Sequence, residues 1–195
     1  MTRPDPALRQ ARAEDLAERL AGRPLVLVGM MGAGKTTVGR RLATRLKRQF
    51  LDSDEEIERA AQMSIPEIFE QRGEPEFRAG ETRVIARVLK TDNVVLATGG
   101  GAFVNAETRA LIKDRAISIW LKAEIDILFE RVSRRANRPL LQTANPRATL
   151  QKLIDDRYPI YADADITVAS RDVPQDAVAG DVVDAVLAYL QQQDA

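Results

Sequence analysis

Short, mainly apolar runs alternate along the chain with longer segments that are apolar only at every third or fourth position. The short runs lie at residues 24–28, 50–52, 93–97, 116–121 and 165–168. Their mainly apolar character predicts strands buried on both faces. Segment 35–47 carries Val38, Leu42 and Leu46 at helical spacing. Segments 124–135, 147–161 and 175–192 also read as helices, with Pro159 marking the fraying end of the second. Residues 54–90 read as several helices, broken near Ser64-Ile65-Pro66 and at Gly73, and 138–146 as a loop. Five apolar strands separated by helices predict a three-layer α/β/α domain with a five-stranded parallel sheet. Ahead of it, Leu8, Ala11, Leu16 and Leu20 can line one face of a solvated helix. Residues 1–22 are therefore expected to be a helical extension of a domain spanning 23–195.

Composition narrows the chemistry. The 195 residues balance 29 Lys and Arg against 29 Asp and Glu, which gives no charge footprint for nucleic acid or an anionic membrane. There is no Cys, which removes disulfides, thiolate nucleophiles and zinc–cysteine sites and fits a reducing cytoplasm. There is no His, which removes imidazole bases and catalytic triads. Carboxylates, Lys, Arg, hydroxyls and backbone N–H groups remain, and phosphoryl transfer needs little beyond these and magnesium. No run reaches the ~20 apolar residues that span a bilayer. A cytoplasmic monomer is expected.

Gly29-Met30-Met31-Gly32-Ala33-Gly34-Lys35-Thr36 matches G-x-x-x-x-G-K-[ST] in full. Such a loop turns successive N–H groups toward phosphates, and the helix that follows adds its N-terminal dipole. Lys35 is expected to reach the β- and γ-phosphates, and the Thr36 hydroxyl to ligate Mg²⁺. The motif follows a predicted strand and opens a predicted helix, the context it requires. No N-K-x-D guanine signature is present, and the 93–97 strand ends in Thr98 where a Walker B strand would end in Asp. Asp52-Ser53-Asp54, at the end of the second strand, is the candidate source of carboxylates. Residues two apart in an extended chain point the same way, so both can face the crevice at the strand ends. One suits a magnesium-bound water and the other a substrate hydroxyl. The competing reading of Asp54 is a helix N-cap.

GMMGAGKTTVGRRLA, FLDSDEEIE, IFEQRGEPEFRAGE, VVLATGGGA, RPLL and DDRYPIYADAD follow one another in that order. Together they resemble shikimate kinase from about residue 24 to 190. The resemblance implies a P-loop NTPase fold of the nucleoside-monophosphate-kinase type. A helical substrate-binding insert would occupy about 54–90 and a lid about 131–143. It implies transfer of the γ-phosphoryl group of ATP to the 3-hydroxyl of shikimate, with Mg²⁺, in aromatic amino-acid biosynthesis. Lys35, Asp54 and Arg138 would be catalytic. ATP would be bound by Gly32, Ala33, Gly34, Lys35, Thr36, Thr37, Arg131 and Arg138. Shikimate would be bound by Asp54, Arg78, Gly99, Gly100, Gly101 and Arg157. The metal would be held by Thr36 and, through water, by Asp52. Glu81, at i+3 from Arg78, would orient that guanidinium. Other small P-loop kinases, of the gluconate or nucleotide type, and a non-catalytic nucleotide-binding module are the rival readings.

Overall fold

All five apolar runs form strands in the computed structural model, in which residues 5–134 and 143–194 are described. They are β1 (Leu25–Val28), β2 (Gln49–Asp52), β3 (Val94–Ala97), β4 (Ile117–Lys122) and β5 (Ile166–Ala169). The sheet is parallel throughout, in the order β2-β3-β1-β4-β5. The three inner strands are buried along almost their whole length, as strands covered on both faces must be. The edge strands depart from the expected burial on both faces. Strand β5 alternates, with Ile166 and Val168 inward and Thr167 and Ala169 outward. No residue of β2 is fully buried, because an edge strand has a neighbour on one side only.

Helix α2 (Lys35–Leu46) links β1 to β2, and α5 (Ala106–Arg115) links β3 to β4. The chain moves toward the β2 edge in the first crossover and toward the β5 edge in the second. Right-handed connections therefore put the two helices on opposite faces. Helix α8 (Gln175–Gln193) packs beside α2 and against β5. Helices α6 (Ile125–Ser133) and α7 (Pro146–Tyr161) pack together between β4 and β5 in the chain. Beside β1 the strand order reverses, so the crevice at the C-terminal strand ends lies where open α/β sheets hold their ligands.

Helix α1 (Pro6–Arg19) lies across α2 and α8. The face it buries differs from the expected one. Ala13, Leu16 and Leu20 are buried, whereas Ala11 is exposed and Leu8 is 54% exposed. Spacings of three and four still define one stripe, but docking selects the stripe that includes the alanine at 13. Arg12 pairs with Asp184 of α8 at 2.9 Å beside it.

The 54–90 segment folds as α3 (Ser53–Ala61) and α4 (Ile65–Val88). Ser64 caps α4 in a reciprocal arrangement with Glu67, and the helix kinks at Gly73. The sequence reading assigns nothing to 102–115. There the chain makes a 3-10 turn (Ala102–Val104) and then α5, capped by the Asn105 side chain. Only Thr108 and Ile112 of α5 are buried, too few to print a helical period. Helix α7 runs to Tyr161 as expected, with Pro159 inside its last turn.

Candidate active site

The phosphate loop leaves β1 and ends at Gly34, which has φ 91° and caps α2. The Lys35 ammonium donates to the carbonyls of Gly29 at 2.7 Å and Met30 at 2.9 Å, which holds it over the loop. A cavity of about 420 Å³ adjoins, lined by Gly32, Gly34, Lys35, Thr36, Thr37 and Arg131 among others. Ala33 is fully buried behind it.

Asp52 and Asp54 sit at the C-terminal end of β2, arranged differently from the extended pair expected. Helix α3 begins at Ser53, so the two carboxylates are separated by a helix start. Asp52 is the N-cap, accepting from the Asp54 N–H at 3.1 Å. Its other oxygen accepts from the Thr36 hydroxyl at 2.9 Å. The capping role considered for Asp54 therefore belongs to Asp52, and Asp54 stands in the first helical turn. Ser53, fully buried, accepts from the Gly99 N–H at 2.8 Å and ties α3 to the end of β3.

Gly99-Gly100-Gly101 is where the other candidate residues meet. A Cβ on Gly99 would lie 2.7 Å from Oδ1 of Asp54 and 3.1 Å from Oε1 of Glu81. One on Gly100 would lie 3.5 Å from a guanidinium nitrogen of Arg157, and 3.7 Å from the Gly29 carbonyl oxygen. One on Gly101 would lie 2.6 to 2.9 Å from three atoms of the Arg78 guanidinium. At Gly99 and Gly101 a Cβ would crowd functional groups of α3 and α4, whereas at Gly100 it would meet Arg157 of α7 at ordinary contact distance. The turn thus gathers the phosphate loop, one carboxylate and two guanidinium groups.

Each guanidinium is held from behind. Arg78 donates to Glu81 at 2.8 Å and to Glu74 at 3.3 Å, and lies 5.0 Å over the Phe77 ring. Burial works against its charge, but Glu81 and Glu74 outweigh it and hold its pKa above the ordinary value. Arg157 donates to the Gly100 carbonyl at 3.1 Å. The Tyr161 hydroxyl donates to the same carbonyl. Burial pushes that phenol up to about 12, so it stays a proton donor at neutral pH. Trp120 meets Tyr158 edge-on at 4.9 Å, and the Tyr158 hydroxyl donates to the Ala123 carbonyl. These contacts fix the α7 turn that carries Arg157.

Glu81 is 2% exposed. Burial raises its pKa more than Arg78 lowers it. Arg78 and Glu81 stand 2.8 Å apart as an ion pair. A carboxyl raised on folding contributes stability below its unfolded pKa of about 4.3 and loses it as pH rises through the folded value. The melting temperature of the unsubstituted chain relative to Glu81→Gln should therefore fall as pH rises above about 4.3. Parallel melting curves would refute this by showing no pH-dependent gap.

Arg131 donates to the Gly32 carbonyl at 3.3 Å, to Ser170 at 2.9 Å and to the Arg171 carbonyl at 2.7 Å. Buried Ser170 in turn donates to the Ala33 carbonyl at 2.8 Å. Arg131 therefore joins the phosphate loop to the segment after β5. Arg138 and the rest of RPLL lie outside the described residues.

The shikimate kinase family model matches residues 31–187. The chain is 57% identical over 182 residues to shikimate kinase of Rhodopseudomonas palustris, covering 93% of this chain and 90% of that one. It is 62% identical over 164 residues to the Nitrobacter winogradskyi enzyme, covering 84% and 77%. The chain belongs to the shikimate kinase family. Among solved structures, shikimate kinase from Acinetobacter baumannii in complex with shikimate superposes with a TM-score of 0.83. Identity to it is 41%, over 88% of this chain and 97% of that one. A gluconokinase from Sinorhizobium meliloti, at 17% identity and TM-score 0.54, shares the fold alone. As in other shikimate kinases, ATP is the co-substrate.

Three residues that shape this shikimate kinase site were missed in the sequence: Ser53, Tyr161 and Ser170. Ser53 lies between the two singled-out aspartates, and Tyr161 lies four residues after Arg157 on one helix face. Both positions carried a signal. Ser170, beyond a short edge strand, carried none.

Proposed function

We propose that this chain transfers the γ-phosphoryl group of ATP to the 3-hydroxyl of shikimate, giving shikimate 3-phosphate and ADP. The observation that carries this reading is the convergence of Asp54, Arg78 and Arg157 on the glycine turn beside the phosphate loop. A ligand with one carboxylate and several ring hydroxyls matches two guanidinium groups and one carboxylate. Arg78 and Arg157 take the acceptor carboxylate, the first with its planar fork. Asp54 accepts from the ring hydroxyls, and Gly99–Gly101 let the ring approach the backbone. Lys35 with the loop N–H groups and, from the undescribed 135–142 segment, Arg138 hold the phosphates. Arg131 and Thr37 complete the nucleotide side.

In the reaction the acceptor oxygen forms a bond to the γ-phosphorus while the bond to the β–γ bridging oxygen breaks. The hydroxyl proton passes to Asp54, and ADP leaves. Catalysis is then chiefly positioning and charge stabilisation. Residues 54–90 serve as the acceptor-binding insert and about 131–143 as the lid that excludes water.

The Thr36 hydroxyl and the Asp52 carboxylate stand 2.9 Å apart at the head of α2, a hard-oxygen pair. No group of three acidic side chains that could hold a metal occurs among the described residues. The Thr36–Asp52 pair suits Mg²⁺, which takes one or two protein ligands and completes its shell with water and phosphate oxygens. Thr36 would bind it directly and Asp52 through water. When bound, it neutralises charge on the β- and γ-phosphoryl oxygens. No described helix is long and apolar enough to cross a membrane. A monomer in a reducing cytoplasm suits a chain without cysteine.

ADP release should be measured with ATP and Mg²⁺, offering shikimate, quinate, gluconate and AMP in turn. Turnover with shikimate alone is expected, and turnover only with another acceptor would overturn the assignment. Arg78→Lys keeps the charge but loses the fork. It should raise the KM for shikimate about ten- to a hundredfold while leaving the KM for ATP unchanged. An unaltered shikimate KM would remove Arg78 from the carboxylate site.

A further inference from the structure

A second cavity, of about 340 Å³, lies between α3 and α4. None of Asp54, Arg78, Arg157 or the glycine turn lines it. Its apolar wall is Ile57, Ile68, Phe77 and Val84, all buried. Its charged groups are Arg72, Arg83 and Arg87 against one acid, Glu76. Arg83 is taken by Glu76 at 3.0 Å and Arg87 by buried Glu56 at 2.8 Å. Arg72 has no acidic partner among the described residues.

Gly80 also lines this cavity, from the interior of α4. Glycine there weakens a helix relative to alanine. Close packing does not demand it, because an added Cβ would meet nothing within 4 Å. The missing side chain leaves the space open. An apolar wall beside an uncommitted guanidinium fits a ring bearing a carboxylate.

We propose that this cavity is a second binding site, for a small aromatic carboxylate, which acts on the acceptor site through Phe77. The occupant lays its ring on Phe77 and Ile57 and gives its carboxylate to Arg72. The volume suits one ring with a short acid arm. The Phe77 ring centroid lies 5.0 Å from the Arg78 guanidinium and 4.6 Å from the Phe69 ring. An occupant that shifts the ring therefore shifts Arg78, and alters the KM for shikimate rather than for ATP. That last step rests on Arg78 being the partner of the acceptor carboxylate, whereas the binding itself does not.

The test is calorimetric titration of the full chain with phenylpyruvate at saturating shikimate. Binding is expected with shikimate present. Arg72→Ala should weaken it roughly tenfold, and Gly80→Leu should abolish it by filling the cavity. Both variants should turn over at saturating shikimate within about twofold of the unsubstituted chain, because neither residue touches the acceptor, nucleotide or reacting atoms. Pyruvate, which lacks the ring, should not bind. The proposal is overturned by no heat at millimolar phenylpyruvate, by displacement with shikimate, by equal binding of pyruvate, or by undiminished binding in Gly80→Leu. Binding without an effect on the KM for shikimate would overturn the coupling through Phe77. Calorimetry needs no turnover, so failure of the acceptor assignment would leave this result readable.

Discussion

Asp54→Asn should bind ATP as the unsubstituted chain does and lose roughly a hundred- to ten-thousandfold in turnover, the range spanned by general acid–base catalysis. The side chain keeps its size and an oxygen, so the contact against Gly99, where a Cβ would lie 2.7 Å from Oδ1, survives. On the proposed assignment, what disappears is the negative charge that would orient the acceptor hydroxyl and take its proton. On that same assignment the phosphates are held elsewhere, by Lys35 and the loop that begins at Gly29, over which the ammonium is fixed by the Gly29 carbonyl. Nucleotide affinity, measured by titration, should therefore move less than about twofold while kcat collapses. A kcat within threefold of the unsubstituted value would remove Asp54 from the chemistry. A loss of ATP affinity equal to the loss of kcat would instead place it on the nucleotide side.

Gly101→Ala has the second largest expected effect, through a different mechanism. The new methyl group would stand 2.6 to 2.9 Å from three atoms of the Arg78 guanidinium, closer than van der Waals contact allows. Arg78 must yield, because the turn backbone is anchored by Ser53 at Gly99 and by Arg157 and Tyr161 at Gly100. The obstructing group is the end of a long side chain, so the fold should tolerate the change and the melting temperature should shift by only a few degrees. The fork would be displaced by about an ångström from a carboxylate bound bidentately. The KM for shikimate should rise about tenfold or more, with the KM for ATP unchanged. Agreement with Arg78→Lys in which parameter moves would tie the glycine to the arginine. An unchanged shikimate KM in Gly101→Ala would break that tie.

Much of this architecture was legible before any coordinates. The five apolar runs, the helix after the phosphate loop and the break near residues 64–66 all stand where the hydrophobic pattern placed them, although only the three inner strands are buried on both faces. The family motifs brought Asp52, Asp54, Arg78 and Arg157 forward one by one. The pairing of Arg78 with Glu81 was visible because i and i+3 share a helix face. Local readings failed where burial was thin or docking decided. Helix α5 buries only two residues, and the packed face of α1 depends on what it lies against. The extended geometry assumed for the two aspartates failed because Asp52 caps a helix that starts one residue later.

By itself, the sequence determined which segments are strands and helices, where a phosphate would be cradled, and which chemistries are closed to a chain without His or Cys. These properties are local: hydrophobic period reports burial, and glycine spacing reports backbone turns. Tertiary structure alone decided the strand order, and with it that residues from α3, α4 and α7 converge on one turn. Arg157 reaches Gly100 across 57 residues of chain, and Ser170 reaches Ala33 across 137. A period along the chain says that a residue is buried but not against what, because each partner is chosen by the packing of the whole sheet.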